Sequence, residues 1–231
     1  MHVRMHLAEA SAGSKPVRGF TLVELMVVLT IIVVITTVVV TSQSSFNKTL
    51  VLANAAYDIA LTLRSAETYG LGSRAFGGTV NAGYGLNFQS GTPGSFTLFA
   101  DTYPTPSTSS VCHPINDSSA PNAQPGNCSY EPSQGEKVTS YTLGNGITVS
   151  DFCAYALGGW SCAYAHGGGL TVLDIVFARP NPEPFMSVNG SYSASFPITA
   201  ACLTVTSPQG GAQYISVAAS GQITANASSC P

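Results

Sequence analysis

The sequence predicts an α+β chain in which a long N-terminal helix packs on a C-terminal antiparallel β-sheet head. Three observations carry this. Phe20 to Tyr69 contains neither Gly nor Pro, enough for about 75 Å of helix. The first half of that stretch is apolar on every side, whereas the second half is amphipathic. Beyond Gly70 the pattern changes to short alternating runs separated by Gly, Pro, Asn and Ser, as in strands joined by turns.

From Phe20 to Val40 every residue is apolar or Thr except Glu24. As a helix this stretch is about 31 Å long, matching a bilayer core of ~30 Å. Val, Ile and Thr are mediocre helix formers in water, but in lipid the backbone must satisfy itself internally, so helix wins. From Ser44 to Ala66, Leu52, Ala56, Ile59, Leu63 and Ala66 recur at spacings of four and three, with Asn54, Asp58, Arg64 and Glu67 as the polar remainder. That stripe should pack on a sheet, and Gly70 and Gly72 should end the helix.

The strand candidates follow in order. Gly83–Phe88 and Ser95–Ala100 read as a hairpin around Gly91-Thr-Pro-Gly94. Residues 102–137 are rich in Pro, Ser and Asn and fit no central strand. Val138–Val149 reads as a second hairpin turning at Gly144-Asn-Gly146, and Leu170–Phe177 as the strongest strand, ended by Pro180, Pro182 and Pro184. Ala194–Ile198 is a candidate edge strand. Ala201–Thr206 and Tyr214–Ala218 form a hairpin around Pro208-Gln-Gly-Gly211, and the tail from Gln222 is loose unless Cys230 ties it down. The implied organisation is a leader over 1–19, an apolar helix over 20–43, an amphipathic half over 44–69 and a β-rich head over 70–231.

Charge bears on topology. Only 8% of residues are charged and the formal net charge is −3. Residues 1–19 carry Arg4, Lys15 and Arg18 against Glu9, or +2, which leaves −5 on the remaining side chains. So acidic a chain is a poor nucleic-acid binder, and Arg64, Arg74, Lys137 and Arg179 assemble no evident basic patch. The positive charges precede the apolar stretch, placing residues 1–19 in the cytoplasm and the C-terminal bulk outside. An ordinary secretory signal has its apolar region before the cleavage site; here it follows Gly19 and would be retained. Cys112, Cys128, Cys153, Cys162, Cys202 and Cys230 all lie in the exported part, where disulfides are the default. Fifteen pairings are open. Sequential pairing, Cys112–Cys128, Cys153–Cys162 and Cys202–Cys230, is favoured because each couple brackets a turn-rich polar segment.

The run Lys15-Pro-Val-Arg-Gly-Phe-Thr-Leu-Val-Glu24, continued by an unbroken apolar helix, resembles the class III signal of type IV pilins and pseudopilins, the N-methyl-phenylalanine type. The resemblance implies cleavage after Gly19 by a prepilin peptidase/methylase, with Phe20 as the new, N-methylated terminus. It further implies that Glu24 pairs with the Phe20 amine of an adjacent subunit and sets the register of a filament. Two other readings of Glu24 stay open: compensation of its own amine or helix N-terminus, and a tolerated interfacial carboxylate. If the chain is helical, the nearest Lys or Arg after cleavage, Lys48, lies about 36 Å away. The implied partners are further copies of the chain in a helical filament, other pilins, an inner-membrane platform protein and its assembly ATPase, and the membrane itself before assembly. The implied location is the cytoplasmic membrane, single-pass with the N-terminus in, and then an extracellular or periplasmic filament. Many pilins carry a Pro about twenty residues into the mature helix; position 41 here is Thr. Leu63-Arg-Ser-Ala-Glu67 and Tyr214–Ile223 bear a weaker resemblance to the GspH/FimT group, the latter to its closing hairpin.

The expected function is structural: a subunit of a type IV pilus or related pseudopilus, with no enzymatic activity, cofactor or metal. His113 and His166 are the exported histidines; both read as loop residues, and no C-x-x-C pair supports a zinc site. No G-x-S-x-G, H-E-x-x-H or Walker pattern occurs. The rival is a membrane-anchored extracellular ligand-binding module or hydrolase with an uncleaved signal anchor. A catalytic trio converging in one pocket of the head would favour it.

Overall fold

A computed structural model of the chain describes residues 19–104, 125–180 and 182–230; within the long helix, the side chains of 42–46 lie outside the description. The chain divides into two compact units, Met1–Ser45 and Phe46–Pro231. Helix α1 runs over Leu22–Leu71 and contributes to both.

In the first unit, Thr21 precedes the helix as its N-cap: its Oγ1 accepts the Glu24 N–H at 3.2 Å and its carbonyl accepts the Leu25 N–H at 3.2 Å. Leu22–Thr41 is long and apolar enough to cross a membrane, and its residues are exposed in their own unit. Thr30, Thr36, Thr37 and Thr41 turn their hydroxyls back to carbonyls one turn earlier, leaving no unpaired hydroxyl among them.

In the second unit the stripe Leu52, Ala56, Ile59, Leu63 and Ala66 is buried, while Asn54, Asp58 and Arg64 face water. The helix ends differently from expectation. Gly70 is still helical, and a Cβ there would collide with the carbonyl of Phe177. The left-handed residue is Ser73, at φ 54°. Arg74 N–H reaches the Tyr69 carbonyl at 3.2 Å and Ser73 N–H that of Gly70 at 3.4 Å, the paired bonds of a Schellman cap. Glycine is thus needed here for close packing, and the cap falls to a serine.

The head contains two antiparallel sheets where one was expected. The strands are β1 Gly83–Gln89, β2 Ser95–Asp101, β3 Lys137–Thr142, β4 Thr148–Ala156, β5 Gly159–Cys162, β6 Val172–Phe177, β7 Pro184–Val188, β8 Ala200–Thr206, β9 Ala212–Ala218 and β10 Ile223–Ala225. One five-stranded sheet has the order β3-β2-β1-β6-β7 and the other β10-β9-β8-β4-β5. Alternation turns Tyr84, Leu86, Phe88, Leu173, Ile175 and Phe177 of the first sheet into one core with Phe152, Leu203, Val205, Ile215 and Val217 of the second and the stripe of α1.

Hairpins β1–β2 and β8–β9 match the sequence reading. Two assignments are corrected, and two elements are added. The supposed hairpin over Val138–Val149 is a crossover: β3 pairs with β2, β4 pairs with β8, and the Asn145-Gly146 turn, both at positive φ, carries the chain between sheets. Ala194–Ile198 is irregular, and the edge strand lies earlier at β7, where Pro184 begins the strand and costs no interior ladder bond. A tight hairpin, β4–β5, turns at Leu157-Gly158 with both residues at positive φ, without the Asn-Gly or Asp-Gly signal that usually marks it. In the tail, expected to be loose unless Cys230 ties it down, Ile223–Ala225 pairs with β9 as an edge strand.

Candidate functional site

Two places in the chain concentrate polar chemistry. At the N-terminal one, Gly19 and Phe20 precede the helix and are exposed, Phe20 at 77%. Glu24 stands in the first turn, also exposed, and makes no ion pair; among the described residues the ion pair is Arg64–Glu67 at 3.1 Å. A carboxylate on an otherwise apolar helix is costly in lipid. Residues 1–18, the bulk of the expected leader, lie outside the described residues.

The second place is the outer face of the first sheet, which sequence reasoning missed. Segment 126–131 lies across it and is held by buried carboxyls. Asp101, at the end of β2, accepts the Asn127 N–H at 2.9 Å and the Cys128 N–H at 2.8 Å. Glu136 accepts Thr102 and Tyr103 N–H through Oε1, at 2.8 and 2.9 Å, and Glu131 N–H through Oε2, at 2.8 Å. Asp174, mid-strand in β6, accepts from Asn87 Nδ2 at 2.6 Å, from Ser187 Oγ at 3.3 Å and from the Tyr130 backbone. Phe99, Cys128 and Val176 form a small apolar cluster on the same face, joined by Tyr130, Phe185 and Tyr192. Gly126, at φ 109°, permits the approach, since a Cβ there would strike the Asp101 carboxyl.

No Lys or Arg ion pair neutralises these acids among the described residues. Burial pushes the Asp101 carboxyl well above the usual range, aided by the charge of Glu136 and opposed by the Asn127 and Cys128 N–H groups. Burial raises Glu136 to about 7, against the pull of its backbone donors. Asp174 also rises to about 7 through burial, opposed by Asn87, Tyr130 and Ser187. Asp101, Glu131 and Glu136 offer oxygens within 4.8 Å of one another, the spacing of a hard-cation site, but Asp101 and Glu136 already serve as acceptors for the loop backbone. In the second such group, Asp151, Cys153 and Cys162, the sulfurs are joined as a disulfide.

The structure contains the disulfides Cys153–Cys162, directly opposed on β4 and β5, and Cys202–Cys230, which ties the tail to β8. Cys128 is also disulfide-bonded; Cys112, and with it the expected Cys112–Cys128 link, lies outside the described residues, as does His113. His166 is exposed in a turn at φ 48°. The basic residues are dispersed: Arg64 binds Glu67 and the Ile223 carbonyl, Arg74 covers the Tyr69 ring at 4.3 Å, and Arg179 donates to Asn81 at 2.7 Å. An open groove of about 610 Å³ runs between α1 and the β3–β4 crossover. Asp58 is the one carboxylate in its lining, which has no His, Cys, Lys or Arg.

An apolar N-terminal helix with a first-turn glutamate, followed by a disulfide-bonded antiparallel head, is consistent with a pilin-like α+β fold. The comparison with protein families agrees: residues 14–40 match the prokaryotic N-terminal methylation motif. That motif indicates a precursor of the type IV pilin or pseudopilin type. Its match ends at residue 40 and reaches neither Leu63–Glu67 nor Tyr214–Ile223, so the GspH/FimT resemblance gains no support. No curated protein and no solved structure matches the chain.

Proposed function

We propose that this chain is a structural subunit of a type IV pilus or related pseudopilus, cut after Gly19 and polymerised through its N-terminal helix. The observation that carries this is the methylation motif lying over a helix whose apolar residues are exposed in their own unit. So large an apolar surface requires either lipid or a neighbouring subunit. In this reading residues 1–19 are the leader, 20–43 the membrane and filament-core helix, 44–69 the half that packs in the head, and 70–231 the β-rich head. A prepilin peptidase cuts and N-methylates the chain in the cytoplasmic membrane. A platform protein and its ATPase then move it from bilayer to filament, where it meets other copies and other pilins. Glu24 meets the Phe20 amine of a neighbour, an ion pair whose desolvation is severe and whose value is register.

Intact-mass analysis of the protein from its native host tests the reading. The expected chain begins at Phe20 with one methyl group. A mature chain retaining Lys15–Gly19 would overturn it.

A further inference from the structure

The Gly19–Phe20 bond sits at the boundary between irregular chain and helix, and one side chain fixes that boundary. Helix α1 begins at Leu22, and Leu25 N–H to Thr21 carbonyl, at 3.2 Å, is the first bond of its ladder. The Glu24 N–H, which a helix begun one residue earlier would direct to the Phe20 carbonyl, goes instead to Thr21 Oγ1. One residue further back, the Gly19 carbonyl would accept from Val23 and vanish into the ladder. Neither Gly19 nor Phe20 is helical, and among the described residues nothing beyond its chain neighbours lies within 4 Å of where a Gly19 Cβ would stand. No Pro intervenes between Pro16 and the helix, so no backbone block confines the helix start to Leu22.

We propose that Thr21 is a positioning residue for leader removal: by capping α1 it keeps the scissile Gly19–Phe20 peptide outside the helix, free for the peptidase. This rests on the processing reading above. The chemistry requires it. Water adds to the Gly19 carbonyl carbon, the C–N bond to Phe20 breaks, both water protons end on the Phe20 amine, and Gly19 leaves as a carboxylate. The attacked carbonyl must present an open face and an oxygen able to take charge-stabilising donors. A carbonyl already bonded along a helix and enclosed by its own turn offers neither. Thr21 touches no reacting atom; it acts through the place where the helix begins.

The test uses the full-length chain in its native host, following the ratio of uncut to cut chain by pulse-chase and intact mass. The variants are Thr21→Ser and Thr21→Asn, which retain a cap, and Thr21→Val and Thr21→Ala, which remove it. Leader removal should slow about fivefold in Thr21→Val and Thr21→Ala, the usual weight of one N-cap. It should stay within about twofold of wild type in Thr21→Ser and Thr21→Asn. Oxidised Cys153–Cys162 in every variant serves as the check that the head has folded. Equal rates across the four variants would overturn the proposal. So would slow cutting of Thr21→Asn together with normal cutting of Thr21→Ser, because the peptidase would then be reading the hydroxyl itself. Wild-type chain that is never cut would sink the processing reading instead, a distinct outcome.

Discussion

The buried carboxyls under segment 126–131 make the head less stable as pH rises through neutrality. Asp174 shows the size of the effect. Its folded value is raised from 3.8 to about 7, chiefly by burial. Between those values the folded state holds a proton that the unfolded state has released, so stability falls with rising pH. The loss is complete once the pH passes the folded value. At ~1.36 kcal/mol per unit it amounts to about 4 kcal/mol for this one group. Glu136, raised to about 7, and Asp101, raised well above its ordinary range, act in the same direction. Asp174→Asn removes the titration. The amide keeps one acceptor oxygen but puts a donor where the carboxyl offers its second, a loss of about 1–2 kcal/mol. Wild type has already lost about 1–2 kcal/mol at pH 5, so the variant should about equal it there and be stronger at pH 8.5 by roughly 2–3 kcal/mol. Urea unfolding of the full chain in detergent micelles, read by the single tryptophan, Trp160, at pH 5, 6, 7 and 8.5, measures this. A wild-type midpoint that is flat or rises over that range refutes protonated burial. A variant slope equal to that of wild type moves the effect away from Asp174.

Two further outcomes are expected. Gly70→Ala drives a methyl into the Phe177 carbonyl of a core strand; it should lower stability by about 1–3 kcal/mol or more, seen as a reduced unfolding midpoint, and an unchanged midpoint would show that the helix end moves freely. Glu24→Ala and Glu24→Gln should reduce surface filaments at least tenfold while monomer level and head disulfides stay normal, and normal filament counts from Glu24→Ala would remove the inter-subunit pair from the mechanism.

What could be read from the sequence was what rests on neighbours in the chain. Helix α1 needs only the absence of Gly and Pro, and its buried stripe only a spacing of three and four. Hairpins β1–β2 and β8–β9 rest on Gly and Pro at their turns. The failures begin where partner choice is non-local. Asn145 and Gly146 do make a turn, as their residue types imply, yet the strands on either side enter different sheets. Pro184 suggested an ending because a proline cannot serve a central strand; at the first position of edge strand β7 that objection vanishes. The N-terminal motif was legible because its residues are contiguous. The carboxyl seat was not, since Asp101, Glu136 and Asp174 come from separate elements and face one another only after the sheet forms. One signal was present. In a chain only 8% charged, an Asp between Leu173 and Ile175 in the most apolar strand is anomalous and needs a partner.

The reason such acids are buried lies in the loop they hold. An irregular segment laid on a sheet face brings backbone N–H groups that no ladder can satisfy. Here those of Thr102, Tyr103, Asn127, Cys128, Tyr130 and Glu131 end on three carboxyls. A carboxyl group offers two oxygens and up to four acceptor sites, more than any neutral side chain, so three of them suffice for both ends of the connection between β2 and β3. The desolvation that this requires appears as the raised titration of the same groups. Asp101, Glu136 and Asp174 thus grip residues 102–103 and 127–131, at both ends of that connection. Removing the Glu136 carboxyl, as in Glu136→Ala, therefore strips acceptors from both ends at once.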